Sequence, residues 1–433
     1  MDFTESFVCH EVRNREMNNN QPVQFAIFGA GGRGHEFSRW IQEHPESGRL
    51  VAVADPSPER RKGIAEKHQL SAGMQFECWE NMLAQPKLAD AVINTTMDQM
   101  HASSSLQALQ QGYHLLLEKP MATTLEDCIA IDRAQRKNNR IVSVCHSLRH
   151  NGVYAEIKRI LQMGTLGRLV SFDQLEAVEH IHHSHSFVRG NWSTESRSSF
   201  MLLAKSCHDI DVLAYLVGTP CLRVSSFGDL NYFRKENAPP GAPPRCTDGC
   251  PVEHSCPYSA YKIYLDPKLH WAWPSLGYKT DDEKLEALKT GPFGRCVFHC
   301  DNDVVDHQVV NFEFEDGVTG TFTMTAFTHD EGRSIRLHGT RGYLKANLKT
   351  RMIDVCRFED NAHIRHQIAE QTGSHGGGDS NLMHNFVQAI RTNDAAAVLT
   401  SASQSLTSHK IVFAAERARR EKRVVELSEL AKV

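Results

Sequence analysis

The segment from Phe200 to Gly218 sets proton-carrying side chains into an otherwise apolar helical pattern. Its sequence, FMLLAKSCHDIDVLAYLVG, places apolar residues at helical spacing, which predicts a helix that packs on a sheet. Lys205, His208 and Asp209 interrupt this pattern, and their side chains can give or accept a proton in catalysis. Lys205 and Asp209 are four residues apart and could instead form an ion pair along the helix. The residues by themselves leave both interpretations open.

A glycine-rich turn near the start of the chain indicates phosphate binding. QFAIF, GAGGRG and HEFSRWIQEHP predict a strand, a turn and a helix, and LVAVA predicts a second strand that ends at Asp55. Gly29, Gly31 and Gly34 fit the dinucleotide motif G-x-G-x-x-G, in which glycine permits a tight turn and a close approach of the pyrophosphate. Asp55 is placed to accept hydrogen bonds from a ribose hydroxyl. This favours NAD, while the arginines at positions 60 and 61 keep NADP open.

Strands and helices continue to alternate as far as Cys145, which predicts a doubly wound parallel sheet. DAVIN, HLLLE and IVSVC are the further strands. Ligands of such sheets bind outside the carboxyl ends of the strands, so we expect the residues there to lie near the nicotinamide. A solvated ion pair is the alternative for the charged residues Glu118 and Lys119. The predicted cofactor-binding residues are Gly29, Gly31, Gly32, Arg33, Gly34, Asp55, Asn94, Thr95, Thr96, His101, Glu118, Lys119 and His146.

Three features together resemble the Gfo/Idh/MocA family of NAD(P)-dependent sugar and polyol oxidoreductases. They are GAGGRG, the triplet Glu118–Pro120 after a strand, and a later helix that carries His208. The resemblance extends from residue 22 over most of the chain. It implies that Lys119 reaches both the cofactor and the reacting oxygen, and that His208 contacts the substrate hydroxyl. Many members have an aspartate where this chain has Ala204, so we expect His208 to accept the proton and keep Lys205 as a further catalytic candidate.

The chain after Arg149 changes to a pattern of strands joined by tight turns, with helices at residues 153–162, 381–391 and 402–422. This predicts an α+β domain with a largely antiparallel, open sheet. The resemblance implies that the exposed sheet face makes an oligomer interface, so we expect a homo-oligomer, a dimer or a tetramer. The predicted divisions are a polar extension (1–21), a Rossmann domain (22–148) and a substrate and oligomerisation domain (149–433) with a cysteine-containing insertion at about 232–304.

The loop HIHHSHSFVRGNW, between a predicted strand and the Phe200–Gly218 helix, offers imidazoles, a guanidinium, an amide and an indole. Sugar pockets use such a mixture. A metal site on His182, His183 and His185 is the alternative. In a second polar loop, GSHGGGD, Asp379 is expected to cap a helix. The predicted substrate-binding residues are Lys119, His183, His185, Arg189, Asn191, Trp192, His208 and His375.

The predicted insertion contains five cysteines, in RCTDGCPVEHSCPYSAY and CVFHC. Their spacing is not that of a standard zinc ribbon and fits neither familiar ferredoxin pattern. Disulfides and reduced thiols are alternatives to a structural zinc, and Cys296 or His254 could replace one zinc ligand. A metal would hold the loop over the pocket and take no part in the chemistry. The predicted zinc ligands are Cys246, Cys250, Cys256 and Cys300.

Composition limits the classes of partner and location. The formal charge of −4 gives no electrostatic reason to expect nucleic acid or an anionic membrane. No run approaches the ~18 apolar residues that a membrane span needs. MDFTESFVCHEVRNREMNNNQ has no apolar signal core, so we expect a cytoplasmic protein with mostly reduced thiols.

These features predict reversible hydride transfer between NAD(P) and a secondary hydroxyl or ketone of a sugar, glycoside or polyol. One alternative is a glycoside hydrolase that keeps and recycles its NAD. It would oxidise C3, eliminate the C1 substituent and then add water. That route needs an additional base and an acid, which the spare histidines and Lys205 could supply. The other alternative is a non-catalytic NAD-binding sensor, for which Ala204 is the main argument.

Overall fold

A computed structural model describes residues 21–266 and 280–432. All but the last residue of the predicted N-terminal extension (1–21) lies outside the described residues. So does a central part of the predicted insertion, residues 267–279.

The first described sheet has six strands, all parallel, in the order β3-β2-β1-β4-β5-β6. Its strands are β1 (Val23–Phe28), β2 (Gly48–Ala54), β3 (Gln75–Phe76), β4 (Ala91–Asn94), β5 (His114–Leu117) and β6 (Val142–Val144). The accompanying helices are α1 (Gly32–Glu43), α2 (Pro58–His68), α3 (Trp79–Leu83), α4 (His101–Gln110) and α5 (Leu125–Asn138). The central strands β1, β4 and β5 are apolar on both faces and almost wholly buried, as expected for a parallel sheet covered by helices. The predicted doubly wound domain is confirmed.

The second described sheet has nine strands, in the order β14-β13-β12-β11-β7-β10-β9-β8-β15. Its strands are β7 (Leu169–Ala177), β8 (Cys221–Asp229), β9 (His307–Phe314), β10 (Thr319–Thr325), β11 (Gly332–Gly339), β12 (Gly342–Asn347), β13 (Met352–Arg357), β14 (His363–Gln367) and β15 (Val425–Glu426). Only β7 and β10 pair in parallel, so the prediction of a largely antiparallel sheet is also confirmed.

Helices cover one face of the second sheet, and the other face is open. The helices of this part of the chain are α6 (Gly152–Gln162), α7 (His180–His183), α8 (Met201–Ala204), α9 (Cys207–Val217), α10 (Ala260–Leu265), α11 (Asp281–Thr290), α12 (Gly378–Thr392) and α13 (Ala402–Glu421). Apolar residues of α6, α9 and α13 share one core with those of the sheet. Among the described helices, none has both the length and the apolar character that crossing a bilayer requires.

Two helices differ from the sequence expectation. The predicted helix from Phe200 to Gly218 is two helices, α8 and α9, because the backbone leaves α geometry at Ser206. Helix α12 lies late in the chain, but its apolar residues pack against the first sheet, where Phe386 contacts Phe25 at 6.4 Å between ring centres. The first sheet therefore takes part of its core from a distant segment.

Candidate active site

The turn after β1 leaves open space in front of the first turn of α1. Gly29 has φ +87°, and the Thr95 hydroxyl donates to its carbonyl oxygen at 2.6 Å. An added Cβ at Gly34 would lie 2.1 Å from the same oxygen, whereas one at Gly31 or Gly32 would meet nothing within 4 Å. Glycine at 29 and 34 thus closes the turn, and glycine at 31 and 32 keeps the helix N-terminus accessible. This arrangement fits the pyrophosphate of a dinucleotide.

Asp55 is fixed at the carboxyl end of β2. Its Oδ2 accepts the Ala30 amide at 2.7 Å and its Oδ1 accepts the Ser57 amide at 2.8 Å. A carboxylate has about four lone-pair positions, so both oxygens can still accept ribose hydroxyls. Arg61 donates to the Asp55 carbonyl oxygen, and its guanidinium therefore lies beside the position of the ribose.

Two other residues in the predicted cofactor set brace the loops at the strand ends. The buried Asn94 donates to Ser104 at 2.8 Å and accepts the Thr96 hydroxyl at 2.8 Å. The His101 ring lies between the carbonyl oxygens of Pro120, at 2.7 Å, and Thr96, at 3.1 Å.

Arg33 joins the glycine turn to two distant carboxylates. Its Nε lies 2.6 Å from Glu118, and its two Nη atoms bind Asp379 at 2.8 and 2.9 Å. The Ser147 hydroxyl donates to Asp379, and His375 Nδ1 lies 2.9 Å from it. Burial alone would raise the pKa of Asp379, but Arg33 and His375 hold it below its ordinary range. The expectation that Asp379 caps a helix is wrong, because the N-cap of α12 is Gly377 and the Asp379 oxygens bind side chains instead. Asp379 organises the site, a role that sequence spacing did not reveal.

Lys119 reaches the break between α8 and α9. Its Nζ donates to the Ala204 carbonyl oxygen at 2.6 Å. Ala204 has no polar side chain, so at this position a backbone oxygen is the partner of the lysine.

His208 lies on the first turn of α9, buried beside two other imidazoles. Its ring centre is 5.4 Å from that of His375 and 5.9 Å from that of His146. Burial, helped by the nearby charge of Lys119, holds the pKa of His208 well below its ordinary value. Burial likewise lowers the pKa of His146 to about 3. His208 is therefore neutral near pH 7, and within the described residues its Nδ1 has no hydrogen-bond partner.

Lys205 pairs with glutamates and not with Asp209. Its Nζ lies 3.4 Å from Glu176 on β7 and 3.3 Å from Glu331 in the loop before β11. Asp209 binds Arg333 at 2.8 Å and Gln174 at 2.7 Å. The ion pair along the helix is therefore replaced by contacts across the sheet. These partners are distant in sequence, and no local spacing marks them.

His182 extends the Lys205 group, with Nδ1 3.0 Å from Glu331. The charges of Lys205 and Lys119 both act on the His182 ring, although burial is the main reason that its pKa is lowered. His182 was absent from the predicted substrate set, and nothing in its spacing separates it from His183 and His185.

The other residues of that loop make packing contacts in the structure. His183 is buried, its ring centre 5.3 Å from Phe233, and His185 stacks on Phe293 at 4.6 Å. Arg189 is 1% exposed and donates to the carbonyl oxygens of Arg295 and Tyr258 at 2.8 and 2.7 Å. Of the remaining two, Asn191 is exposed and Trp192 lies half-buried against the domain core. The structure thus uses Arg189 to hold the cysteine-containing insertion.

The predicted zinc site is not supported. Cys246, Cys250, Cys256 and Cys296 line one small cavity, whereas the Cys300 thiol donates to the Cys296 carbonyl oxygen at 3.3 Å. Across residues 21–266 and 280–432, no three cysteine, histidine or acidic residues are arranged to hold a metal ion. Burial raises the pKa of Cys296 to about 11, so that thiol stays protonated. The described cysteines are free thiols.

Comparison with known proteins assigns both halves of the chain to one group. The Gfo/Idh/MocA model for an oxidoreductase family with an NAD-binding Rossmann fold matches residues 23–146. The model for that family's C-terminal alpha/beta domain matches residues 158–427.

Two curated relatives illustrate the similarity. The putative oxidoreductase YteT of Bacillus subtilis is 24% identical over 361 residues, 78% of this chain and 81% of that protein. An inositol 2-dehydrogenase/D-chiro-inositol 3-dehydrogenase of Halalkalibacterium halodurans is 28% identical over 146 residues, 34% of this chain and 41% of that protein. The match thus spans less than half of this inositol dehydrogenase.

Solved structures share the fold. A levoglucosan dehydrogenase in complex with NADH superposes with a TM-score of 0.69 at 18% identity, covering 94% of this chain and 99% of that one. The WlbA dehydrogenase of Bordetella pertussis, in complex with NADH and UDP-GlcNAcA, gives a TM-score of 0.63 at 18% identity, with 94% and 98% covered.

Proposed function

The chain belongs to the Gfo/Idh/MocA family of NAD-dependent oxidoreductases, and from this premise we propose that it transfers hydride between NAD and a secondary hydroxyl or ketone of a sugar, glycoside or polyol. The proposal depends on one observation. Lys119 Nζ binds the Ala204 carbonyl oxygen at the break before α9, close to the buried, neutral His208. The relatives support the substrate class, since their names include inositol and levoglucosan dehydrogenases.

In the proposed complex the glycine turn and the first amides of α1 bind the pyrophosphate, and Asp55 accepts the ribose hydroxyls. Asp55 would repel a 2′-phosphate, which favours NAD over NADP. The bound nicotinamide accepts or supplies the hydride.

Lys119 and His208 act on the reacting oxygen. The Lys119 ammonium is held by one carbonyl oxygen and has two further N–H groups, so it can donate to the substrate oxygen and stabilise the charge that develops there. The neutral imidazole of His208 can accept a hydrogen bond from the hydroxyl. His208 and Lys205 are the candidates for removal of the hydroxyl proton.

A second function is favoured by one observation. Beyond His208, the site contains a separate charged group of Lys205, Glu331 and His182, in which the lysine and the imidazole can carry protons. A dehydrogenase needs one base, whereas a glycoside hydrolase that recycles its NAD also needs a base for C2 and an acid for the leaving group.

The open face of the second sheet is where a homo-oligomer would form, and this stays a prediction.

The test follows the two reactions in one assay. Purified protein is incubated with NAD, free sugars, polyols and aryl glycosides, and NADH absorbance is recorded together with aryl alcohol release. NADH formation on a sugar or polyol, lost in Lys119→Met and His208→Asn but kept in the exposed control His363→Asn, is the expected result. Catalytic aryl alcohol release without net NADH would replace the dehydrogenase by the hydrolase. Turnover that survives in Lys119→Met would refute the assigned site.

A further inference from the structure

Glu176 is a buried carboxylate that the reaction as described so far does not use. It lies near the carboxyl end of β7, on the helix-covered face of the sheet, with 0% of its surface exposed. Within the described residues neither of its carboxylate oxygens has a properly aligned hydrogen-bond donor. The preceding residue on the same face, Gln174, is bonded to both Tyr154 and Asp209. A buried, incompletely bonded carboxylate is costly, so this position calls for an explanation.

Two cations lie next to this carboxylate. Arg333 Nε is 2.9 Å from Oε2, and Lys205 Nζ is 3.4 Å from Oε1. Arg333 is also held by Asp209, so it serves two carboxylates at once and is a fixed positive charge. A lysine ammonium, unlike a guanidinium, can pass on a proton.

Lys205 connects Glu176 with the reacting centre. It follows directly on Ala204, whose carbonyl oxygen receives the Lys119 amine. The charges of both lysines act on the ring of His182, so the two side chains lie in one neighbourhood. The Lys205 side chain is only 13% exposed. Ala204 has no side chain that could accept a proton, and His208 is too weak a base to keep a proton near pH 7.

We propose that Glu176 is the terminal proton acceptor of the active site and exchanges its proton with the substrate through Lys205. During oxidation the Lys205 ammonium gives one proton to Glu176, and the resulting amine takes the hydroxyl proton of the substrate. The C–H bond breaks, its electron pair leaves as hydride to NAD, and the carbonyl bond forms. After the ketone has left, the Glu176 proton returns through Lys205, whose side chain is 13% exposed, to water, and the site is ready for the next oxidation. In the reductive direction each transfer is reversed. This inference rests on the proposed function and assigns its proton path.

The surroundings of Glu176 are consistent with a proton acceptor. The charged and titratable groups that face it come from α6, α9, β11, the α8–α9 break and the loop before β11, and they are Tyr154, Asp209, Arg333, Lys205 and Glu331. Burial is the largest effect on Glu176 and raises the pKa of its carboxyl group above the ordinary value, against the opposing effect of Arg333. Glu331 differs, because His182 and Lys205 hold its pKa below the ordinary range although burial opposes this. Glu331 therefore stays ionised and anchors Lys205.

Glu176→Gln keeps the shape of the side chain and removes the ability to accept a proton, and Glu331→Gln is the matched control on the same lysine. For Glu176→Gln we expect kcat for oxidation to fall about 100-fold and its rise with pH through the neutral range to disappear. KM and the NADH fluorescence titration should stay unchanged, while Glu331→Gln should keep the pH-dependent rise. Because the two residues act in series, Lys205→Met/Glu176→Gln should be no slower than Lys205→Met alone.

A pH profile of Glu176→Gln that matches the wild type, or a loss that appears in Glu331→Gln alone, would overturn the assignment. If Glu176→Gln does not fold, Glu176→Asp should retain the pH-dependent rise with a shifted midpoint.

Infrared spectroscopy tests the same residue without turnover. As pH falls through neutrality, the wild type should gain the carbonyl stretch of a protonated, buried carboxyl group, and this band should be absent in Glu176→Gln. A wild type without that band refutes the proton acceptor even if hydride transfer is observed. A wild type with the band but without hydride transfer on any substrate refutes the proposed function alone.

Discussion

Acidification from neutral to mildly acidic pH should destabilise this protein strongly, because several histidines are buried in the neutral form. Burial is the largest cause of the lowered pKa in each case, and it brings the pKa of His114, His146, His150, His183 and His409 to about 3 or 4. The six buried examples are His114, His146, His150, His183, His208 and His409.

The sign and size follow from proton linkage. In the unfolded chain each histidine titrates near its ordinary pKa of about 6.5, whereas the folded chain takes up no proton there until the pH is far lower. The unfolded state therefore binds more protons between about pH 6.5 and pH 4, and the free energy of unfolding falls with pH across this range. Between pH 7.5 and 5.5 the loss is about 1.4 kcal/mol for each histidine and about 8 kcal/mol for six. This is comparable with the whole stability of a typical domain.

The assay is urea unfolding followed by circular dichroism at pH 7.5, 6.5 and 5.5, with proton uptake on unfolding measured directly. We expect uptake of several protons at pH 5.5 and a large fall in the urea midpoint. His183→Phe, which places an aromatic ring between Phe187 and Phe233, should reduce the pH-dependent loss by about 1.4 kcal/mol, whereas the exposed His363→Phe should not. Stability that is flat from pH 7.5 to 5.5, without proton uptake, would refute the reasoning.

Two further substitutions test the turn and the insertion. Gly34→Ala places a Cβ against the Gly29 carbonyl, so it should abolish NADH binding and lower the melting temperature. In Gly32→Ala the added Cβ lies in open space, and the melting temperature should stay within about 1 °C of the wild-type value. Retained NADH binding in Gly34→Ala would contradict the packing argument. Arg189→Met removes two hydrogen bonds to buried carbonyl oxygens and should cost about 2–4 kcal/mol in urea unfolding, against less than about 0.5 kcal/mol for the exposed Arg365→Met. Equal losses in the two variants would show that those bonds do not stabilise the insertion.

The nucleotide-binding half was predictable because its signals are local. The turn at Gly29–Gly34 and the apolar strands on either side of it lie within one short segment, and the parallel sheet follows from their alternation with helices. The antiparallel sheet was predictable for the same reason, since its tight turns join neighbours in sequence.

The details of the candidate site depend on contacts between distant residues. Lys205 pairs with Glu176 on β7 and with Glu331 in the loop before β11, and both residues are distant from it in sequence. Helical spacing therefore favoured Asp209 as its partner. The break after Ala204 was likewise invisible, because each residue of the segment is compatible with one continuous helix. Arg189 has the chemistry of a substrate ligand. Only the fold shows that its guanidinium donates hydrogen bonds to backbone carbonyl oxygens of the insertion.

The packing of α12 on the first sheet has a consequence for folding during synthesis on the ribosome. The strands of that sheet have all been synthesised by Val144, but Phe386 and its neighbours, which complete one side of its core, come about 240 residues later. At a translation rate of about 5–20 residues per second, the nascent sheet waits roughly 12–50 seconds with apolar surface uncovered. The core of the nucleotide-binding half therefore becomes complete only after synthesis has passed α12.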